Sequence, residues 1–387
     1  MPVFPEYISV GMVLFFILYG VTGVVPLLAA LYLLLRRGNA FAASVTPPLQ
    51  LRRWAAAFFA MSSLSHLWWL LLYFYSGIHL SAYEVAVLFI DAISLFITIA
   101  GTLLAMLQDR KRPVWPIFVA MIPLAGMGVV LMAYPTTQLL EVAGAYYLLV
   151  FVLFVVYMSF AVRQYGRWLR DNYSDLERKE VWLTQTLSLF FTLLIVLYSV
   201  VNSFSVLLYI LHFIELTLFV ILLWRVETLS SLTPNLTPAK AAGDNSQEAD
   251  DEEPSSLLVR SGNEPMAPAV VERLLAENCV APQLYLQHDL TLQQLAIRVG
   301  TNRSYLSRYF SLQSITYNTY INNLRINHFI RLYQEVLASR QPFTVQQLVS
   351  QSGYRSYSTF SLAFKQRMGQ SVTAWMQELA MPQVEKE

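Results

Sequence analysis

The sequence predicts an all-α protein: a seven-helix transmembrane bundle followed by a tandem helix-turn-helix domain. Three observations predict it. Seven apolar runs fill the first 225 residues, an acidic polar stretch follows, and one helix-turn-helix pattern occurs twice near the C-terminus. The 387 residues are 56% hydrophobic and only 13% charged, with a mean hydropathy of +0.47, outside the usual soluble balance.

The apolar runs lie near 8–35, 54–75, 85–107, 115–133, 142–162, 181–201 and 205–224. Each approaches or exceeds the roughly 20 residues that cross the hydrocarbon of a bilayer. The first run has no basic leader and no clear small-residue cleavage site, so it reads as a span and not as a signal peptide. The last two are parted by little more than Asn202-Ser203, which demands a tight hairpin. Pro26 and Pro123 fall inside runs and are candidate kinks.

Lys and Arg occupy alternate connections. Arg36, Arg37, Arg52 and Arg53 lie in one, Arg110, Lys111 and Arg112 in the next, and Arg163, Arg167, Arg170, Arg178 and Lys179 in the third. The connections near 76–84, 134–141 and 202–204 contain none. Positive charge stays on the cytoplasmic side, so the N-terminus is expected outside and the C-terminus inside. In a bacterium, that is the inner membrane with its C-terminal part facing the chromosome.

The net charge of +1 conceals a strong asymmetry. Residues 226–282 carry 3 basic and 10 acidic side chains, whereas residues 289–376 carry 9 basic and 2 acidic. The expected division is a membrane sensory domain over 1–225, an acidic flexible linker over 226–265 and a C-terminal domain over 266–387. Thr233-Pro234, Thr237-Pro238 and the run Glu248 to Pro254 have a linker's composition. The run's charge would also let it compete with a polyanion for the basic face.

The first helix-turn-helix unit runs from Leu292 through Gly300 to Phe310, and the second from Val345 through Gly353-Tyr354 to Lys365. Leu295, Val299, Leu306 and Phe310 fall at inward positions of the first. Leu348, Val349, Phe360 and Phe364 do so in the second, whose turn is one residue longer. Ala296 allows close helix crossing, and Gly300 permits the turn. Between the units, Tyr320 to Ile326 and Phe329 to Tyr333 have the 3–4 spacing of one long linking helix. Two recognition helices held by such a helix can enter successive segments of the major groove.

Over about 284–377 the chain resembles the AraC/XylS family of bacterial transcription regulators. The resemblance rests on Asp289-Leu290-Thr291-Leu292, Leu324-Arg325-Ile326, and Gly353-Tyr354 with Phe360 through Gly369. It implies a seven-helix DNA-binding domain without enzymatic activity. The chain departs from the family after Phe310, where Ser311 to Ile315 lacks the usual Lys and Gly. It departs again at Ser371-Val372, where Thr-Pro is usual, and at Leu362, where Arg is common. By this correspondence Asn302, Arg303, Ser304, Ser307 and Arg308 are DNA-contact candidates in the first unit. Arg308 leads them because a guanidinium binds guanine O6 and N7 together. In the second unit Tyr357, Ser358 and Thr359 face bases, with Arg355, Ser356 and Lys365 nearer phosphates. Ser304 and Ser356 also suit helix caps.

Few ionisable residues lie in the spans. His66, Asp91, His212 and Glu215 are candidates for ligand or proton sensing, and they equally suit interhelical hydrogen bonding. His212 and Glu215 are three apart and share a helix face. Cys279, the single cysteine, reads as a small apolar residue. No Cys/His cluster, nucleotide loop, kinase motif or metal-protease helix is evident, so neither a cofactor nor a metal is expected.

Together these features point to a membrane-integral, one-component transcription regulator, not an enzyme. Its expected partners are double-stranded DNA, membrane lipid, an unidentified small-molecule or membrane signal, RNA polymerase and a second copy of the chain. The alternative is a seven-span transporter or membrane enzyme with a DNA-binding regulatory tail.

Overall fold

The computed structural model describes residues 10–36, 39–42, 45–75, 82–177, 179–201, 205–232, 267–339 and 342–380. The acidic run at 248–254, most of the expected linker, Arg37 and Arg178 lie outside these residues. The described residues are helical and form no strand; one isolated antiparallel bridge joins Tyr173 to Thr291. Two compact units emerge: Met1–Arg167 with Arg178–Leu232, and Trp168–Glu177 with Thr233–Glu387.

The first unit holds α1 (Val10–Leu35), α2 (Leu49–Tyr75), α3 (Ala82–Ala105), α4 (Trp115–Ala133), most of α5 (Thr137–Asn172), α6 (Trp182–Val201) and α7 (Ser205–Thr228). Six of these are long and apolar enough to cross a membrane, by length and composition. The seventh, α6, is apolar over Trp182–Val196. Its first turns carry buried Thr184, Gln185 and Ser188. Gln185 uses its polarity inside the bundle, donating from Nε2 to the Leu103 carbonyl at 2.8 Å.

Large apolar side chains cover the outside of this unit. Leu28, Leu35, Ile122, Val129, Leu153 and Phe160 are all exposed. Such an exterior is expected where the surrounding medium is hydrocarbon. Inside, α1, α2 and α7 pack together, α2 to α4 pack in succession, and α6 packs on α7. Gly101 on α3 lies under the Trp54 indole, where a Cβ would come within 2.3 Å of the ring.

Two boundaries differ from the sequence expectation. First, α2 begins at Leu49, so Arg52 and Arg53 are helical. Arg52 pairs with buried Glu227 at 3.8 Å, and Tyr32 donates to the same carboxylate at 2.9 Å. Second, α5 does not stop near 162. Buried Ala161, Tyr165 and Leu169 recur every fourth residue, and no Pro interrupts, so the helix continues to Asn172. Its last residues then belong to the second unit.

That unit contains α8 (Pro268–Leu275), a π-helical turn (Ala276–Val280), a 3-10 turn (Leu284–Leu286), α9 (Leu292–Val299), α10 (Arg303–Leu312), α11 (Tyr317–Ser339), α12 (Val345–Gln351), α13 (Tyr357–Met368) and α14 (Val372–Ala380). Capping chemistry sets several boundaries. Thr291 with Gln294, and Thr344 with Gln347, close reciprocal capping boxes at α9 and α12. Asn302 and Ser356 cap α10 and α13 by accepting from the backbone N–H of Tyr305 and Thr359. Ser314 adopts φ +55° between α10 and α11, a left-handed position that favours Gly.

The linking helix α11 serves two cores. Tyr317 and Ile321 pack with Leu295, Val299, Leu306 and Phe310. Ile326, Phe329 and Tyr333 pack with Leu348, Val349, Phe360 and Phe364. Cys279 belongs to the first core, where burial pushes its thiol up to about 11. Arg325 stands at the changeover. Its guanidinium is buried, donates to the Tyr285 and Gln287 carbonyls at 2.7 and 2.8 Å, and lies 5.4 Å from the Tyr354 ring centroid. Burial pushes its pKa below the ordinary arginine value, while Asp175 and Asp289 act in the opposite direction.

Gly353 makes this junction possible. It holds φ +85°, and an added Cβ would sit 2.8 Å from the Leu286 carbonyl oxygen and 3.1 Å from Arg325 Nε. Gly353→Ala is expected to destabilise the second unit by about 2–3 kcal/mol, combining left-handed strain with backbone overlap. Urea-dependent proteolysis of the detergent-solubilised chain, followed at sites in α12 and α13, measures this. An unchanged midpoint would contradict the account.

Candidate nucleic-acid interface and intramembrane cluster

The two recognition helices are α10 and α13, each the second helix of its unit. Ser304, Ser307 and Arg308 are exposed on α10. No ion pair engages Arg308 or Lys365 among the described residues, so both cations remain available to an anion. On α13, Tyr357, Ser358 and Lys365 are exposed and Thr359 is half-buried. Leu362 presents an apolar side chain, 62% exposed. Such a group can contact a thymine methyl but cannot hydrogen-bond a base.

Other candidates already have partners. Asn302 is the α10 cap. Arg355 pairs with Asp289 at 2.5 Å, an exposed ion pair. Arg367, which sequence reasoning passed over, donates to the Asn323 carbonyl and, at 2.6 Å, to Asn327 Oδ1. It thereby ties α13 to α11, and burial pushes its pKa below the ordinary value.

The unforeseen component is the segment Trp168–Glu177. Ser174 donates from Oγ to the Leu290 carbonyl at 2.8 Å, next to the Tyr173–Thr291 bridge. Asn318 on α11 donates to the carbonyls of Tyr173 and Ser174 at 3.2 and 2.8 Å. Asn172 Oδ1 accepts from Arg303 Nε at 2.9 Å. Glu177 Oε2 accepts from Ser356 Oγ at 2.7 Å and Thr359 Oγ1 at 3.0 Å. A carboxylate therefore rests at the N-terminus of the second recognition helix, where a helix end favours negative charge. Three expected DNA contacts, Arg303, Ser356 and Thr359, are engaged by this segment. In the sequence it reads only as a basic connection, since nothing in its composition names Leu290 or Ser356 as partners.

In the first unit the four intramembrane candidates separate into two groups. Asp91 on α3 is buried and saturated with donors: Ser65 Oγ at 2.7 Å, Trp68 Nε1 at 2.8 Å and Trp69 Nε1 at 2.5 Å. Those three donors come from α2, so Asp91 pins α3 to α2. His66, His212 and Glu215 form the second group, their ligating atoms all within 4.8 Å of one another. By geometry such a group could hold a metal ion, a grouping the sequence did not single out. The sequence signal was faint, because His66 and the His212/Glu215 pair lie on helices far apart in the chain.

The family model described as a helix-turn-helix domain, of AraC type, matches residues 283–378. No curated protein and no solved structure matches the chain. The matched region holds α9 through most of α14, including both recognition helices. It points to a DNA-binding regulator and away from an enzyme.

The Asp91 network gives a direct expectation. Asp91→Asn keeps the size but turns an amide N–H₂ towards hydroxyl and indole donors. It is expected to cost about 1–3 kcal/mol through unmatched buried donors. A thermal melt of the solubilised protein should show a lowered midpoint, and an unchanged one would remove the pinning role.

Proposed function

We propose that this chain is a membrane-integral, one-component transcription regulator of a bacterial inner membrane. The observation that carries the reading is the presence in one polypeptide of two exposed recognition helices, braced by α11, and of six membrane-length apolar helices together with the apolar helix α6. Double-stranded DNA is the partner of the second unit, and lipid surrounds the first. The proposed orientation places the N-terminus outside and the helix-turn-helix units in the cytoplasm, supported by the basic side chains of alternate connections. RNA polymerase and a second copy of the chain are the further proposed partners.

The reading extends to signal response. The helix α5 begins among the apolar helices and ends in the segment that occupies Arg303, Ser356 and Thr359. A change in α5 would alter the exposure of those side chains to phosphate. A signal does this only if it binds the docked and undocked states unequally. The membrane unit would then set the fraction of readers free for DNA.

Orientation is tested with fusions. A cytoplasm-active reporter joined after residue 225 should be active, and a reporter active only outside should work near residue 80. The reverse pattern would overturn the topology.

DNA reading is tested on the full chain in nanodiscs. Genome-wide mapping of bound fragments supplies the site. Affinity should fall steeply with salt, as phosphate contacts require. Arg308→Ala should cost about 1–3 kcal/mol at one or two base pairs, and an equal loss on all sequences would make it a phosphate contact. Glu177→Ala should tighten binding about threefold to tenfold, since the carboxylate no longer competes for two hydroxyls. Unchanged or weaker binding in Glu177→Ala would remove the docked segment from the mechanism.

A further inference from the structure

Three helices of the membrane unit bring nitrogen and oxygen ligands to one point. His66 comes from α2, His212 and Glu215 from α7, and Thr22 from α1. His66 Nε2 lies 3.5 Å from Glu215 Oε2, and His212 Nδ1 lies 3.4 Å from the same oxygen. Thr22 Oγ1 lies 3.5 Å from His212 Nδ1. The Thr22 hydroxyl proton is committed to the carbonyls of Leu18 and Tyr19, each 3.0 Å away, so oxygen lone pairs remain for the cluster.

The tautomer of His66 is set by its surroundings. Its Nδ1 is 2.8 Å from the Ser62 carbonyl, which can only accept, so Nδ1 carries the hydrogen. In the neutral ring Nε2 is then a lone pair aimed at a carboxylate oxygen, a repulsive arrangement unless a cation lies between them. A backbone carbonyl holding the far nitrogen is the usual support of a metal-bound histidine. His212 has the complementary problem. Its Nδ1 faces the same oxygen, while its Nε2 is buried without a partner among the described residues.

Distances decide between a proton and a metal ion. A charged imidazolium donating to a carboxylate closes to about 2.7–2.9 Å. The observed separations of 3.4 and 3.5 Å are longer than that. These two match the edge of a tetrahedron, about 3.4 Å, whose centre lies about 2.1 Å from each ligand, the length of zinc–imidazole and zinc–carboxylate bonds. The two imidazole nitrogens lie within 4.8 Å of each other, so bound metal would draw them together. Two imidazoles and one carboxylate without thiolate suit zinc or a similar first-row divalent ion, and disfavour calcium and magnesium, which prefer all-oxygen shells. His66 and Glu215 also line a cavity of about 120 Å³ whose other walls are largely apolar, among them Phe58, Phe96 and Leu218. It leaves room for a fourth, exchangeable ligand.

We infer that His66, His212 and Glu215 form a binding site for a zinc-class divalent metal ion within the membrane unit. The site stands on this unit alone and does not depend on how the DNA-reading unit works. His66 Nε2, His212 Nδ1 and a Glu215 oxygen are the protein ligands. Ser62 orients one imidazole, and Thr22 flanks the other.

The test uses the full-length protein in detergent, stripped with a chelator and then equilibrated with Zn²⁺ or Co²⁺. Metal content after gel filtration should be one ion per chain, and the cobalt form should show the intense visible bands of tetrahedral coordination. His66→Ala, His212→Ala and Glu215→Gln should each weaken binding at least about a hundredfold, the upper end of what losing a supporting hydrogen bond costs. His288→Gln, in the other unit, should bind as wild type. His212→Cys guards against a variant that fails to fold. It should keep the ion and add a thiolate-to-cobalt charge-transfer band. A wild-type chain that retains no stoichiometric ion would overturn the proposal. So would metal binding undiminished in His66→Ala, or a His212→Cys protein that binds cobalt without the thiolate band.

Discussion

The buried guanidinium of Arg325 is the constraint on which the reader's geometry depends. A helix-turn-helix unit is too small to hold a fixed angle to a neighbour through its own core. Here both cores share α11, and Arg325 sits where that helix passes from one to the other. Its two hydrogen bonds fix the turn at Tyr285 and Gln287 on one side, and the Tyr354 ring covers it on the other. A buried charge is tolerated only when its donors are met, so the geometry is over-determined. Gly353 must lack a side chain because the Leu286 carbonyl and Arg325 leave no volume for one. Two recognition helices carried by one rigid helix are what two successive groove segments require.

Charge placement gives the second theme. The helix-turn-helix region is basic, yet the acidic or polar side chains of a short segment meet several groups on or beside its recognition helices. Glu177 accepts from both Ser356 and Thr359 at the start of α13. Asn172 holds Arg303. Each of these bonds is exposed or partly exposed. The firmer anchors, Ser174 on Leu290 and Asn318 on the Tyr173 and Ser174 carbonyls, lie away from the recognition helices.

In the membrane unit, polar groups divide by whether their hydrogen-bonding capacity is used up. Asp91 is saturated by three donors and has the character of a packing element. The His66, His212 and Glu215 group is not, since in the neutral ring the His66 Nε2 lone pair faces the Glu215 carboxylate, and His212 Nε2 is buried without a partner among the described residues. Uncompensated polarity in an apolar region is costly, and its persistence is an argument for a ligand.

The sequence by itself determined the all-α class, the seven apolar helices and the inward faces of both helix-turn-helix units. These are local properties: run length, a 3.6-residue period, a capping Thr or Ser, a turn Gly. The recognition helices were legible for the same reason, and with them the exposure of Ser307, Arg308 and Lys365. Tertiary structure alone decided which candidates already have partners, because a partner is a matter of distance and not of order along the chain. Glu177 reaches Ser356 and Thr359, and Arg303 reaches Asn172, across separations that no periodicity records. The continuation of α5 past residue 162 escaped because a basic amphipathic turn resembles a loop when only hydropathy is followed. The division of the intramembrane residues into a saturated Asp91 and an open His66–His212–Glu215 group escaped for a related reason. Which faces of α2, α3 and α7 meet is set by side-chain packing in three dimensions, and an apolar run alone leaves that rotation undetermined.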